Sequence, residues 1–134
     1  MFRNFIFCLA LCHSIIVEKK NDENIYNASS PDELALVNAA KYFGVEFTER
    51  TEDNNIIIKY NGTVYKYFLL HIFEFNSNRK RMSVIIRDEN DPNNKKIKLI
   101  CKGADSVIAK RLDLNKRYIK FFYIICLVIP YLEL

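Results

Sequence analysis

Apolar residues recur along the chain at two different spacings, and the switch between them marks the elements. After Ser30, Leu34 and Val37 fall on one helical face with Lys41, while Leu36, Ala40 and Phe43 fall on another. Ser30-Pro31-Asp32-Glu33 carries start signals: serine caps, proline loses nothing in the first turn, and Glu33 three residues after the cap completes a capping box. Gly44 supplies the stop, so the spacing predicts a helix from Pro31 to about Phe43. From Val45 the period becomes two. Val45 and Phe47 alternate with Glu46 and Thr48, and Ile56-Ile57-Ile58 is joined through Asn61-Gly62 to a run from Thr63 to Phe73, which is the pattern of a hairpin. Further strands are predicted over Lys80–Arg87 and Lys96–Lys102, separated by an Asp, Pro and Asn-rich turn at Asp88–Asn94. Asp105 to Leu112 has helical character. The sum is an α+β fold, an antiparallel sheet flanked by helices.

The two ends are both apolar. Phe5 to Leu11 follows Met1-Phe2-Arg3-Asn4 and has the outline of a short secretory leader, with cleavage near Ser14, or of the first helix of the domain. Asn27-Ala28-Ser29 and Asn61-Gly62-Thr63 fit the glycosylation sequon, which keeps a small secreted glycoprotein open as a reading. Phe121 to Leu132 is about as apolar but is interrupted by Pro130 and is short of the roughly 20 residues that span a bilayer. A core helix, an interfacial anchor or a remnant are its alternatives.

At 134 residues, half of them hydrophobic, the chain can bury one core. Its net charge of +4 is unevenly placed: residues 1–78 hold 7 Lys/Arg against 10 Asp/Glu, and residues 79–134 hold 13 against 6. The basic residues are spread over strand-like segments with acids between them, so a nucleic-acid partner is not expected. Cys8, Cys12, Cys101 and Cys126 show no framework spacing, and reduced thiols are the expectation. Cys8, Cys12 and His13 lack the second matching pair of a metal corner and read as small buried residues.

The chain has three glycines and neither GxxxxGK[ST] nor GxGxxG, so any nucleotide would have to be held by side chains. Phe75 ends a strand just before a polar turn, where an exposed ring can stack on a purine; taken alone, a phenylalanine is more often core. Lys80 and Lys102 can meet phosphates or simply be solvated, and Gly103 permits close approach to the backbone. Glu33 can accept from the exocyclic amine of adenine or serve the capping box alone.

The stretches LALCHS (9–14), YNASSPDELALVNAAKYFGVEF (26–47), EFNSNRKRMSVIIR (74–87) and LICKGADSVIAKRL (99–112) resemble, in this order, the nucleotide-binding domain of P-type ATPases of the phospholipid-translocating branch. The resemblance implies a nucleotide-binding domain over 1–112 and a divergent apolar tail over 113–134. It implies ATP as ligand: Phe75 stacking on adenine, Glu33 contacting the base, Lys102 lining the pocket beside Gly103, Ser77 and Lys80 reaching toward sugar and phosphates. Magnesium would be held mainly by a phosphorylation domain, whose DKTGT and DGET motifs this sequence lacks, as it lacks the family's membrane helices and GLRTL arginine. The chain is therefore expected to bind ATP without hydrolysing it, with no catalytic residue or metal ligand of its own. Its partners would be ATP and the rest of a pump, with phospholipid only indirect. It would sit on the cytoplasmic side of a membrane in an intact pump, and in the cytoplasm if isolated. A non-binding regulatory remnant is the alternative.

Overall fold

A computed structural model describes residues 2–21, 23–93, 96–111 and 126–129. The elements in order are α1 (Phe2–Leu11), β1 (Ile16–Lys20), β2 (Glu23–Asn27), α2 (Pro31–Tyr42), β3 (Val45–Arg50), β4 (Asn55–Tyr60), β5 (Thr63–Phe73), β6 (Arg81–Asp88), β7 (Ile97–Gly103), α3 (Asp105–Ala109) and β8 (Cys126–Ile129). β1 and β2 form a separate two-stranded ribbon, and the other six strands form one antiparallel sheet in sequence order, β3 to β8. The fold is α+β, as the alternating patterns predict.

Local chemistry accounts for most of it. Asn61 and Gly62 both take positive φ, 48° and 78°, between the paired Tyr60 and Thr63, the backbone of a tight two-residue hairpin turn. Gly44 ends α2 with φ 86°, where a side chain would be strained. Strands β4 and β6 alternate: Ile56 and Ile58, Met82, Val84 and Ile86 are buried beneath the helices. Each such fully buried branched side chain stabilises the fold by about 1.5–3 kcal/mol relative to exposure.

The apolar opening segment is a core helix. Ile6, Cys8, Leu9, Ala10 and Leu11 of α1 are buried, and Cys12 and Ile15 just beyond it are 0% and 1% exposed. Cleavage near Ser14 would strip this helix from the core, so the segment is committed to packing. Cys8 and Cys12 are buried in the core, and the His13 ring is spent on backbone: Ile15 N–H donates to Nδ1 at 3.2 Å, leaving Nε2–H to donate to the Ala10 carbonyl at 3.0 Å. Burial holds the His13 imidazole neutral, with its pKa lowered to about 3 despite the opposing Ala10 bond.

The structure corrects several expectations. In α2 the buried face is Glu33, Val37 and Ala40, so Val37 and Ala40 share a face. The capping box does not form: Ser30 makes no side-chain cap, its carbonyl receives the Leu34 N–H, and the Glu33 carboxylate is drawn instead toward Ser14 and Lys102. Helix α3 ends at Ala109, short of Leu112, which lies outside the described residues. Of the predicted apolar stretch 121–132, residues Cys126–Ile129 form β8, an added strand on the β7 edge rather than helix; the rest of 113–134 lies outside the described residues. The β1–β2 ribbon has no counterpart in the sequence reading, although Asn21, at φ 51°, stands between Lys20 and Glu23 as a turn signal.

Candidate functional site

Three elements meet at the carboxyl end of β7. The first turn of α2 supplies Asp32 and Glu33, the end of β5 runs on to Glu74 and Phe75, and β7 delivers Lys102 and Gly103, followed by Ala104. Together with Ser14, Leu36 and Met82 they surround a hollow of about 570 Å³, within the range of ligand pockets.

Its inner wall is an ion pair. Lys102 Nζ lies 3.2 Å from Glu33 Oε1, both side chains almost wholly covered, while Glu33 Oε2 accepts the Ser14 hydroxyl at 2.7 Å. Burial pushes the Glu33 carboxyl up, but the Ser14 hydroxyl and the Lys102 ammonium outweigh it and hold the group below the usual carboxylate range. Ionised, a carboxylate has about four lone-pair sites; the Lys102 ammonium and the hydroxyl and backbone N–H of Ser14 take three, and one remains for another donor.

Its outer lip is aromatic. Phe75 is 62% exposed, unlike the buried phenylalanine Phe47 at 0%. Leu36, Met82 and Ala104 add apolar surface around it. The hollow thus combines an uncovered ring, an apolar lining and a fixed carboxylate, a set suited to a flat heteroaromatic ring bearing an N–H donor.

Of the six sequence-derived residues, the structure brings Glu33, Phe75, Lys102 and Gly103 to one hollow. Ser77 and Lys80 lie outside its lining, exposed on the loop between β5 and β6. Lys80 contributes through its backbone instead: with φ 52° it turns its carbonyl to accept the Ala104 N–H at 3.0 Å. Asn76 shapes the same loop, its side chain accepting the Arg79 N–H at 2.7 Å. Gly103 is small for an internal reason. A Cβ there would stand 2.5 Å from the Lys80 carbonyl oxygen and 2.6 Å from the Arg81 side chain, so the close approach is that of β6. Ser14 was not singled out from the sequence, because its partner is 19 residues away and nothing in local pattern joins them. Its only signal is its place at the end of the LALCHS stretch.

Residues 1–114 match the family described as P-type ATPase, cytoplasmic domain N. The chain belongs to that family. It is 50% identical over 110 residues to phospholipid-transporting ATPase IC of Homo sapiens, an alignment covering 82% of this chain and 8% of the relative. Similarity extends to human phospholipid-transporting ATPase ID, 48% identical over 109 residues (81% of this chain, 9% of the relative). Phospholipid-transporting ATPase dnf2 of Schizosaccharomyces pombe is 42% identical over 113 residues, 84% of this chain and 8% of the relative. These identities put the N domain in the phospholipid-transporting branch, and the chain spans less than a tenth of the length of these relatives. The family is a cytoplasmic domain, and among the described residues no helix is long and apolar enough to cross a membrane.

Proposed function

We propose that this N domain binds ATP, taking the adenine into the hollow between Phe75 and the Glu33–Lys102 pair, as the nucleotide-holding part of a phospholipid-translocating pump. The observation that carries the reading is Phe75, uncovered at 62% on the rim of the same 570 Å³ hollow that Glu33 and Lys102 close from within. A stacked base contributes about 1–3 kcal/mol. The remaining lone pair of Glu33 accepts the exocyclic amine, and the apolar wall of Leu36, Met82 and Ala104 excludes water from the ring's other surfaces.

The hollow fits the base better than the triphosphate. Asp32 and Glu74 stand on its rim and Lys102 is already paired, so the phosphates extend outward, away from these carboxylates. Magnesium would come with the phosphates: among the described residues no group of three His, Cys, Asp or Glu is placed to hold a metal ion. This chain's residues bind and orient; they offer no acceptor for the terminal phosphate, and hydrolysis by this chain alone is not expected. In the intact pump the domain lies on the cytoplasmic side of the membrane and presents ATP to the phosphorylated domain. Phospholipid is engaged only elsewhere in the protein.

The test is an ATP titration of isotope-labelled chain followed by NMR. Shifts centred on Phe75, Lys102 and Glu33 that saturate, with the Phe75→Ala chain binding roughly 5- to 150-fold more weakly, are expected from stacking. Equal affinity of the two proteins, or spectra indifferent to millimolar ATP, favours a remnant that keeps the fold and has lost the ligand.

A further inference from the structure

A second cavity opens on the sheet face turned away from α1 and α2. Along β6 and β7 the residues alternate, so Met82 and Lys102 face the helices while Arg81, Ser83 and Cys101 face the other way. Phe73 of β5 pairs opposite Ser83. With Arg79 from the preceding loop and Arg111 just after α3, these residues line an open groove of about 590 Å³.

Three guanidinium groups therefore line one hollow, and none has a carboxylate partner among the described residues. Their bonds are to neutral groups. Arg79 donates to the Glu74 carbonyl at 3.2 Å and reaches the Ser83 hydroxyl at 3.5 Å, with its charge 5.3 Å from the centre of the Phe73 ring. Arg81 donates to the Arg79 carbonyl at 3.3 Å, and Arg111 to the Val107 carbonyl at 2.7 Å. Elsewhere on the molecule Lys41, Arg87, Lys98 and Lys102 each meet an acid. A guanidinium has five N–H donors in a planar fork, so most of those in the hollow are left for another acceptor. Like charges gathered on a concave, partly apolar surface repel one another until an anion enters. Ser83, 5% exposed at the floor, accepts from Arg79 and keeps its hydroxyl hydrogen to donate.

We propose that this groove is a phosphate site, taking inorganic phosphate or a terminal phosphate monoester on the opposite face of the sheet from the nucleotide pocket. Three guanidinium forks lining one hollow suit a tetrahedral dianion, whose oxygens each accept several bonds, better than the two coplanar oxygens of a carboxylate. The assignment does not depend on the adenine reading, because it shares no residue with that hollow.

The experiment uses the whole chain, labelled for backbone amides and arginine Nε–H groups, titrated with sodium phosphate, with O-phosphoserine and with ATP at ionic strength fixed by sodium chloride. Phosphate is expected to give saturating shifts at Arg79, Arg81, Arg111 and Ser83 while Glu33, Phe75 and Lys102 stay in place. Saturation by phosphoserine at the same residues extends the site to monoesters, and saturation by phosphate alone restricts it to the free anion. Arg111→Gln, which alters an exposed side chain whose bond among the described residues is to the Val107 carbonyl of its own helix turn, weakens phosphate about tenfold, as expected for a charge-assisted bond. Arg81→Gln adds a similar loss. Shifts that never saturate, or that appear equally at Lys19 and Lys59, reduce the groove to general screening and overturn the proposal. ATP shifts that saturate the groove and the Phe75 pocket together with one affinity overturn it as well, because the groove would then be the far end of the nucleotide site.

Discussion

Replacing Lys102 by methionine tests the inner wall of the pocket more directly than any ligand experiment. Methionine keeps most of the stem's volume and removes the charge, leaving the Glu33 carboxylate covered with Ser14 as its remaining partner. Orphaning one member of a buried pair typically costs about 3–5 kcal/mol, and the lower end applies here because the pair borders an open hollow. With a urea dependence of about 1.5 kcal/mol per molar, ~3 kcal/mol moves the unfolding midpoint by about 2 M. The pH dependence then separates this cause from lost packing. In the parent, Glu33 is held below its unfolded value, so its contribution is complete above the unfolded pKa and is lost as pH falls through the folded one. Without Lys102 burial dominates and lifts the carboxyl, so the variant prefers a protonated Glu33, and its deficit shrinks as pH drops from 7 toward 4. Adding Glu33→Gln to Lys102→Met recovers much of the loss at pH 7. Urea curves for the three proteins at both pH values decide it: a deficit below about 0.5 kcal/mol, or one constant with pH, refutes the idea that charge compensation holds this wall.

Other outcomes follow from single positions. Gly103→Ala drives a Cβ into the Lys80 carbonyl and Arg81, and is expected to lower stability by at least about 1–3 kcal/mol in thermal or urea unfolding. Gly62→Ala meets no atom within 4 Å, so its cost of about 1–2 kcal/mol is backbone strain alone. His13 stays neutral in the fold down to about pH 3 whereas the unfolded chain takes a proton near 6.5, so folding weakens by about 1.4 kcal/mol per pH unit below 6 from this group; an NMR titration showing a charged ring at pH 5 contradicts it. Phe75→Ala is expected to leave the unfolding midpoint unchanged, since the ring is mostly in solvent, and to act on the proposed ATP affinity alone.

The sheet was legible because its signals are local. Asn61-Gly62 dictates a turn by φ alone, and the alternation at Ile56, Ile58, Met82, Val84 and Ile86 assigns one side to the core. Helix α2 could be placed from Pro31 and Gly44, but the role of Glu33 could not. A capping box and a buried ion pair use the same residue, and the choice between them rests on Lys102, 69 positions away. For Phe75 the local signal was weak: a strand end before a polar turn permits an exposed ring, but a lone phenylalanine is more often core, and the motif tipped the balance. Lys80 looked like a ligand group because it is a cation, whereas its structural importance is a left-handed backbone that no side-chain reading reveals.

The in-order succession of β3 through β7 has a kinetic consequence. Each strand finds its neighbour in the next piece of chain, so the polymer closes only small loops while the ribbon zips outward from residues 61 and 62. The long-distance step, expected to come afterwards, packs the Cys12 region over Met82 and Ile100, 70 and 88 residues away in the chain. The platform is thus expected to assemble before the helix covers it, and the hollow between Phe75 and the Glu33–Lys102 pair, which needs Ser14 from the covering side, to be completed last.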